Sequence, residues 1–179
     1  MILKSEILNS KICKGPLGSF RFRAKLFFSC IFFTGVFLSS CGTEDVFFNE
    51  MVEIPDHRWK HSDLIQFKVD VDDTVNTFNF FVNIRHTKSY GYSNLFIFLH
   101  TTSPLGYKMT DTLEFPMADP EGNYVGKVSG GLVMNRVIVK KDVRFPKPGT
   151  YTFMVEQAMR DEVLEEITDV GLTIAKINN

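Results

Sequence analysis

The chain has 179 residues, 44% of them hydrophobic and 23% charged, and a formal net charge of −1. The near-neutral total hides an asymmetry, because residues 1–40 carry six Lys+Arg against one acidic residue, whereas residues 41–179 carry 14 against 20. An acidic main body excludes a nucleic-acid partner, which needs a basic face, and its length bounds it to one domain.

Residues 1–20 show no clear periodicity and read either as a long basic-region extension or as the product of a start site placed too early. Arg21, Arg23 and Lys25 follow as a basic cluster, then the apolar run 26–38, broken only by Ser29, Cys30, Thr34 and Gly35. A basic region, a short apolar region and small residues describe a secretory signal peptide over 1–40. Thirteen apolar-rich residues fall short of the roughly 20 that a helical membrane span needs. Leu38, Ser39, Ser40 and Cys41 resemble a bacterial lipobox. That resemblance implies cleavage between Ser40 and Cys41, with lipid attached at Cys41, which becomes the first mature residue. More than one acyl chain anchors a protein stably, where one does so only marginally. Cys13 and Cys30 leave with the leader, so no disulfide or thiolate site is expected in the mature chain.

Residues 41–49 read as a lipidated tether with Thr43, Glu44 and Asp45, and residues 50–179 as the folded domain. Strands are expected at 65–71 and 78–85, where Ile65, Phe67, Val69 and Val71 and then Phe78, Phe80, Val82 and Ile84 recur at a period of two. Residues 94–99 are apolar on both faces and predict a central strand covered on both sides. Met109, Leu113 and Phe115 share one face of the next strand, which Pro116 closes. Asp111 falls on that inward face as a structural acid needing backbone N–H or Arg partners. A Gly-rich connection over 118–131 holds a short strand at 124–125, and further strands follow at 132–139, 151–156 and 170–177. Only 158–167 invites a helix, through Met159, Val163, Leu164 and Ile167. Seven to nine short strands and at most one short helix predict an all-β antiparallel sandwich, jelly-roll or immunoglobulin-like.

Chemistry-bearing patterns are sparse. His57 and His61 stand at i, i+4 but have no third ligand and sit in a loop, so no metal is expected. There is no Gly-x-Ser-x-Gly elbow, no mature Cys for a Cys–His pair and no phosphate loop in 122–131. Asp111, Glu114 and Glu156 are the carboxylates open to acid–base work, and nothing in their spacing selects a pair. The expected molecule is no enzyme, takes no cofactor and has no small-molecule substrate. Of the strand aromatics, Phe81 points outward, while Phe96 and Phe98 are expected to be buried.

Six blocks then carry a resemblance: 94–99 (Asn-Leu-Phe-Ile-Phe-Leu), 111–119 (Asp-Thr-Leu-Glu-Phe-Pro-Met-Ala-Asp), 122–127 (Gly-Asn-Tyr-Val-Gly-Lys), Phe145-Pro146 with Gly149-Thr150-Tyr151, 156–160 (Glu-Gln-Ala-Met-Arg) and Asp169-Val170-Gly171. In order and spacing, with the lipobox at Cys41, they resemble the GldH family of gliding-motility lipoproteins. The leader is longer than that family's, and 128–131 is looser than its Gly-rich turn. The resemblance implies a cell-envelope lipoprotein, at the outer membrane ahead of the inner, that works with other motility lipoproteins or secretion-apparatus proteins and catalyses nothing. Loops on a rigid sandwich are where binding residues concentrate. Gly122, Gly126 and Lys127 in one connection and Gln157, Met159 and Arg160 in another are therefore the candidate partner surface, with Arg160 as its charged anchor. Arg160→Ala and a bulky residue at Gly126 are both expected to impair motility without unfolding the domain. The alternative is a glycan- or nutrient-binding surface lipoprotein.

Overall fold

A computed structural model describes residues 45–177, so the leader and the lipobox residues Ser40 and Cys41 lie outside the described residues. Eleven strands form two antiparallel sheets and a short ribbon. They are β1 (Asp45–Glu53), β2 (Arg58–Lys60), β3 (Ile65–Val71), β4 (Phe78–Thr87), β5 (Asn94–Thr102), β6 (Lys108–Pro116), β7 (Lys127–Ser129), β8 (Leu132–Val143), β9 (Gly149–Gln157), β10 (Val163–Glu165) and β11 (Ile167–Lys176). One sheet runs β1-β11-β4-β8-β7, the other β3-β9-β5-β6, and β10 pairs with β2.

The period-two residues meet between the sheets. Phe67, Phe78, Phe80, Ile84, Leu95, Ile97, Leu99, Phe115, Leu172 and Ile174 are all buried. Phe145 sits among Phe78, Phe80 and Tyr151 with ring centroids 4.8–5.6 Å apart, in tilted rather than stacked geometry. Each large apolar side chain taken fully out of water contributes about 1.5–3 kcal/mol, and such aromatic pairs add to it. An antiparallel sandwich is the arrangement in which alternating strands bury one face each.

Several features differ from expectation. The strand count is eleven rather than seven to nine, because β2, β7 and β10 are three residues each, too short to show a period. Strand β1 starts at Asp45, inside the segment read as tether, where Phe48 and Val52 pack inward against the core. The doubly covered strand is β11 rather than 94–99. On β5, Phe96 and Phe98 stay half-exposed on the outer face, whereas on β11 Gly171, Thr173 and Ala175 are buried on theirs. Small residues there let neighbours lie flat: a Cβ at Gly171 would stand 2.1 Å from the Met51 sulfur. Thr173 is held by Asn83, whose Nδ2 donates to its hydroxyl at 2.7 Å, and it donates in turn to Asn49 at 2.7 Å.

A further difference is at 158–167, where no helix forms. Gln157 is fully buried and takes the backbone partners a helix would need. Its Oε1 accepts the Met159 N–H at 2.9 Å and its Nε2 donates to the Asp161 carbonyl at 2.8 Å. The apolar residues beyond are spent singly, with Leu164 buried opposite Trp59 across the β2–β10 ribbon and Ile167 in the core. The short strand expected at 124–125 is displaced to β7, and Tyr124 makes a single bridge to Ala118. Asp111 does turn toward the other sheet, but its partner is a lysine: Lys140 Nζ on β8 stands 2.7 Å from its Oδ2, at the open edge between β6 and β8.

Candidate functional site

Strand directions sort the connections between two ends. At one end, β1 begins at Asp45 beside Lys176, and residues 72–77, 103–107 and 144–148 close the sheets. At the other, residues 54–64, 88–93, 117–126 and 158–166 gather. Both connections singled out from sequence lie at this second end, opposite the start of β1.

They are joined by side chains that sequence reasoning passed over. Tyr124, in the Gly-rich connection, donates its hydroxyl to the Lys88 carbonyl at 2.9 Å, and its ring centroid lies 6.1 Å from the His86 ring. His86 lies 5.2 Å from Tyr90, and Tyr90 lies 5.8 Å from Tyr92. The Tyr92 hydroxyl donates to the Asp161 carboxylate in the 158–161 corner. The row Tyr124–His86–Tyr90–Tyr92–Asp161 thus couples the two connections through residues 88–93.

Its chemistry is that of a fixed scaffold. His86 is buried, and its Nδ1–H donates to the Thr87 carbonyl at 2.7 Å, while Nε2 has no hydrogen-bond partner among the described residues. Desolvation holds the imidazole pKa below its ordinary value, against the opposing pull of the Thr87 carbonyl. Burial, then Tyr92 and Asp161, push the Tyr90 hydroxyl well above the usual phenol range. The hydrogen bond to Asp161 raises that of Tyr92.

The corner opens onto a groove of about 500 Å³ lined by Tyr92, Asn94, Phe96, Met159, Arg160 and Asp161. Met159 is fixed on its wall. Its sulfur accepts the Phe96 N–H at 3.3 Å and its carbonyl meets His61 Nε2 at 3.1 Å. Arg160 is exposed, and no ion pair of Arg160 is found among the described residues, since Asp161 is engaged by Tyr92. Of the candidates, only Arg160, Met159 and Lys127 therefore offer side chains to a partner. Gln157 is the buried brace of the corner. Gly122 supplies the left-handed conformation, φ 85°, that closes the turn where Asp119 accepts the Asn123 N–H at 2.7 Å. Gly126 is a packing position: a Cβ there would stand 2.6 Å from the Met134 carbonyl and from Asn135 Oδ1. A bulky residue at Gly126 therefore disturbs the fold, contrary to the expectation that it spares it.

Next to the corner, Glu156 faces His100 Nε2 at 3.0 Å and His61 Nδ1 at 3.5 Å on the outer face of the four-stranded sheet. His57 and His61 do not share a helical face, because a single 3-10 turn ends at His57 and strand geometry follows. The outward ring of Phe81 is capped by the Arg136 guanidinium, 3.9 Å from its centroid. Tyr90, Tyr92 and Tyr124 stand beside Gly91 or Gly122 in polar connections. Tyrosines in turns were the one signal from which this row was readable.

Comparison with known proteins bears on this architecture. The chain is 35% identical over 154 residues to a protein of Christiangramia forsetii named gliding motility lipoprotein GldH homolog, covering 82% of this chain and 93% of that one. It is 32% identical over 146 residues to gliding motility lipoprotein GldH of Flavobacterium johnsoniae, covering 78% and 89%. Among solved structures, the VP2 subviral particle of infectious bursal disease virus aligns with 78% of this chain and 35% of its own at 10% identity and a TM-score of 0.34. The family described as GldH lipoprotein matches residues 46–174, nearly the whole sandwich, and the chain belongs to that family.

Proposed function

We propose that this protein is a lipid-anchored, non-catalytic assembly component of the gliding-motility apparatus and the secretion machinery associated with it. Cys41 holds it to the cell envelope. The end of the sandwich opposite β1 then docks a protein partner, another motility lipoprotein or a secretion component. Family membership supports the motility assignment, since both relatives above carry gliding motility in their names. The single observation that carries the docking role is the convergence of the two polar connections at one end, held rigid by the Tyr124–His86–Tyr90–Tyr92–Asp161 row.

A preorganised surface of this kind binds without first ordering its loops, which removes an entropic cost of association. Arg160, exposed beside the apolar Phe96 and Met159, has the character of an interface anchor, a cation free to pair at the edge of an apolar groove. The test is a clean deletion complemented with wild type, Cys41→Ala and Arg160→Ala, scored for colony spreading and adhesin secretion. Rescue by wild type alone is the expected result. Full rescue by both variants would discard the reading and bring glycan binding forward.

A further inference from the structure

We propose that the end of the sandwich where β1 begins is a lipid-contact surface, with Val75, Leu105 and Tyr107 seated in the interfacial layer of the membrane that anchors Cys41. The inference rests on the lipid-anchor reading and adds to it the orientation of the domain.

The three most exposed large apolar side chains of the domain are Tyr107 at 75%, Val75 at 74% and Leu105 at 66%. All three lie in connections at this one end, and Met109 and Val46, also exposed, stand on the strands that lead into it. Leu64, Tyr92, Tyr124, Val125 and Val128 are exposed toward the opposite end, none above 56%, so it is the three most exposed that gather at one end. Single exposed apolar residues are ordinary on a protein surface, but a cluster of this kind marks a contact. These residues are presented by well-bonded turns. Ser103 Oγ accepts the Tyr107 N–H at 3.1 Å, the Tyr107 carbonyl accepts the Ser103 N–H at 2.9 Å, and Gly106 at φ 84° closes the turn. Asp73 Oδ1 accepts the N–H groups of Val75 and Asn76, each at 3.0 Å, and Lys176 stands 3.6 Å from its Oδ2. The turns therefore hold their apolar tips out in water at a standing cost, which an interface removes.

Lipid is the occupant for two reasons. Cys41 precedes Asp45 by four residues, which span at most ~14 Å, so this end cannot stand far from the anchored thiol. The charge also divides the right way. The opposite connections hold eight carboxylates, Asp56, Asp63, Asp119, Glu121, Asp161, Glu162, Glu165 and Glu166, against Arg58, Lys60, Lys88 and Arg160. The connections here set Arg144 and Lys147 against Asp72 and Asp73, with Lys108 next to Tyr107. An anionic lipid surface repels the first end and tolerates the second. Tyrosine favours the headgroup boundary, where its ring is apolar and its hydroxyl stays wet.

The test uses the full lipidated chain in phosphatidylethanolamine–phosphatidylglycerol vesicles, with and without brominated acyl chains. Trp59 is the only tryptophan, buried at the opposite end, so wild type reports a site away from lipid. The Tyr107→Trp variant, at an exposed position, adds a reporter at the proposed contact. The expected result is a blue-shifted emission from position 107 that brominated lipid quenches strongly, while wild-type emission is unchanged. An emission from 107 that acrylamide quenches fully and brominated lipid leaves alone overturns the proposal. Shielding from both quenchers also overturns it, in favour of a second copy or another protein. Failure of the protein to float with vesicles removes the Cys41 anchor and the proposal with it, and flotation distinguishes that outcome from the others.

Discussion

The two ends of the sandwich are built from the same kind of strand and finished in opposite ways. The end where β1 begins carries short turns that tie backbone to side chain and push Val75, Leu105 and Tyr107 into solvent. The far end carries longer, acidic connections knitted together by a row of aromatic rings and a buried glutamine, and it holds a largely apolar groove with Arg160 and Asp161 in its lining. Exposed apolar tips on short turns suit a surface with no shape of its own. A braced groove with a cation on its rim suits a partner that has one. On the proposed reading, the contrast separates anchoring from recognition along the strand axis, with the core between them as a spacer.

The largest expected effect comes from severing β1, the element that links the anchor to the spacer. Gly171→Val places a side chain where Met51 sulfur and the Glu50 carbonyl already lie, 2.1 and 2.7 Å from the Cβ position. Overpacking of this order costs about 3 kcal/mol, and chemical denaturation together with selective loss of hydrogen-exchange protection in β1 checks it. Next is Gln157→Ala, which orphans the Met159 N–H and the Asp161 carbonyl inside the corner. A loss of about 2 kcal/mol is expected, with impaired spreading even at a temperature where the domain stays folded.

The His86 imidazole supplies a pH test of the far end. Its folded pKa is depressed by burial, so the stability tied to its neutral form is present above pH ~6.5 and is lost as pH falls through the folded value. Denaturation midpoints are expected to decline below that pH, by at most about 1.4 kcal/mol per pH unit for one proton, and His86→Phe flattens the decline. A slope unchanged in that variant assigns it to other groups. Asp73 contributes in the opposite end and in a lower window. Its pKa is lowered to about 2, first by the Asn76 N–H, so its contribution is lost only as pH falls from the usual carboxylate range toward 2. The smallest stability effect belongs to Arg160→Ala, within about 0.5 kcal/mol for an exposed side chain, and that variant is nonetheless expected to abolish partner docking.

Much of the spacer was legible. Ile65 to Val71 and Phe78 to Ile84 alternate so regularly that strand, face and core follow from the residues alone. The ends were legible only in part, for physical reasons. Periodicity has nothing to act on in three-residue strands such as β2 and β10. The helical spacing of Met159, Val163, Leu164 and Ile167 was overridden by one buried side chain, Gln157, whose hydrogen bonds form only once the corner exists. Gly126 and Gly122 look alike in sequence. One meets the β8 backbone and the other sits in open space with a positive φ, a difference set by pairing partners distant in the chain. The Asp111–Lys140 pair crosses between sheets, so its geometry depends on a register that no local pattern encodes. The two connections singled out as loops on a rigid scaffold lie together at one end of the sandwich. The role of each residue within them needed the fold.

The division of labour between the ends is most directly tested by photo-crosslinking in living cells, with one photoreactive residue at position 160 or at position 75. The account predicts a discrete protein adduct from 160 that disappears when spreading is abolished by loss of the partner, and no protein adduct from 75. A protein adduct from 75 with none from 160 would contradict it, placing recognition at the anchored end and leaving the braced far end without a docking role.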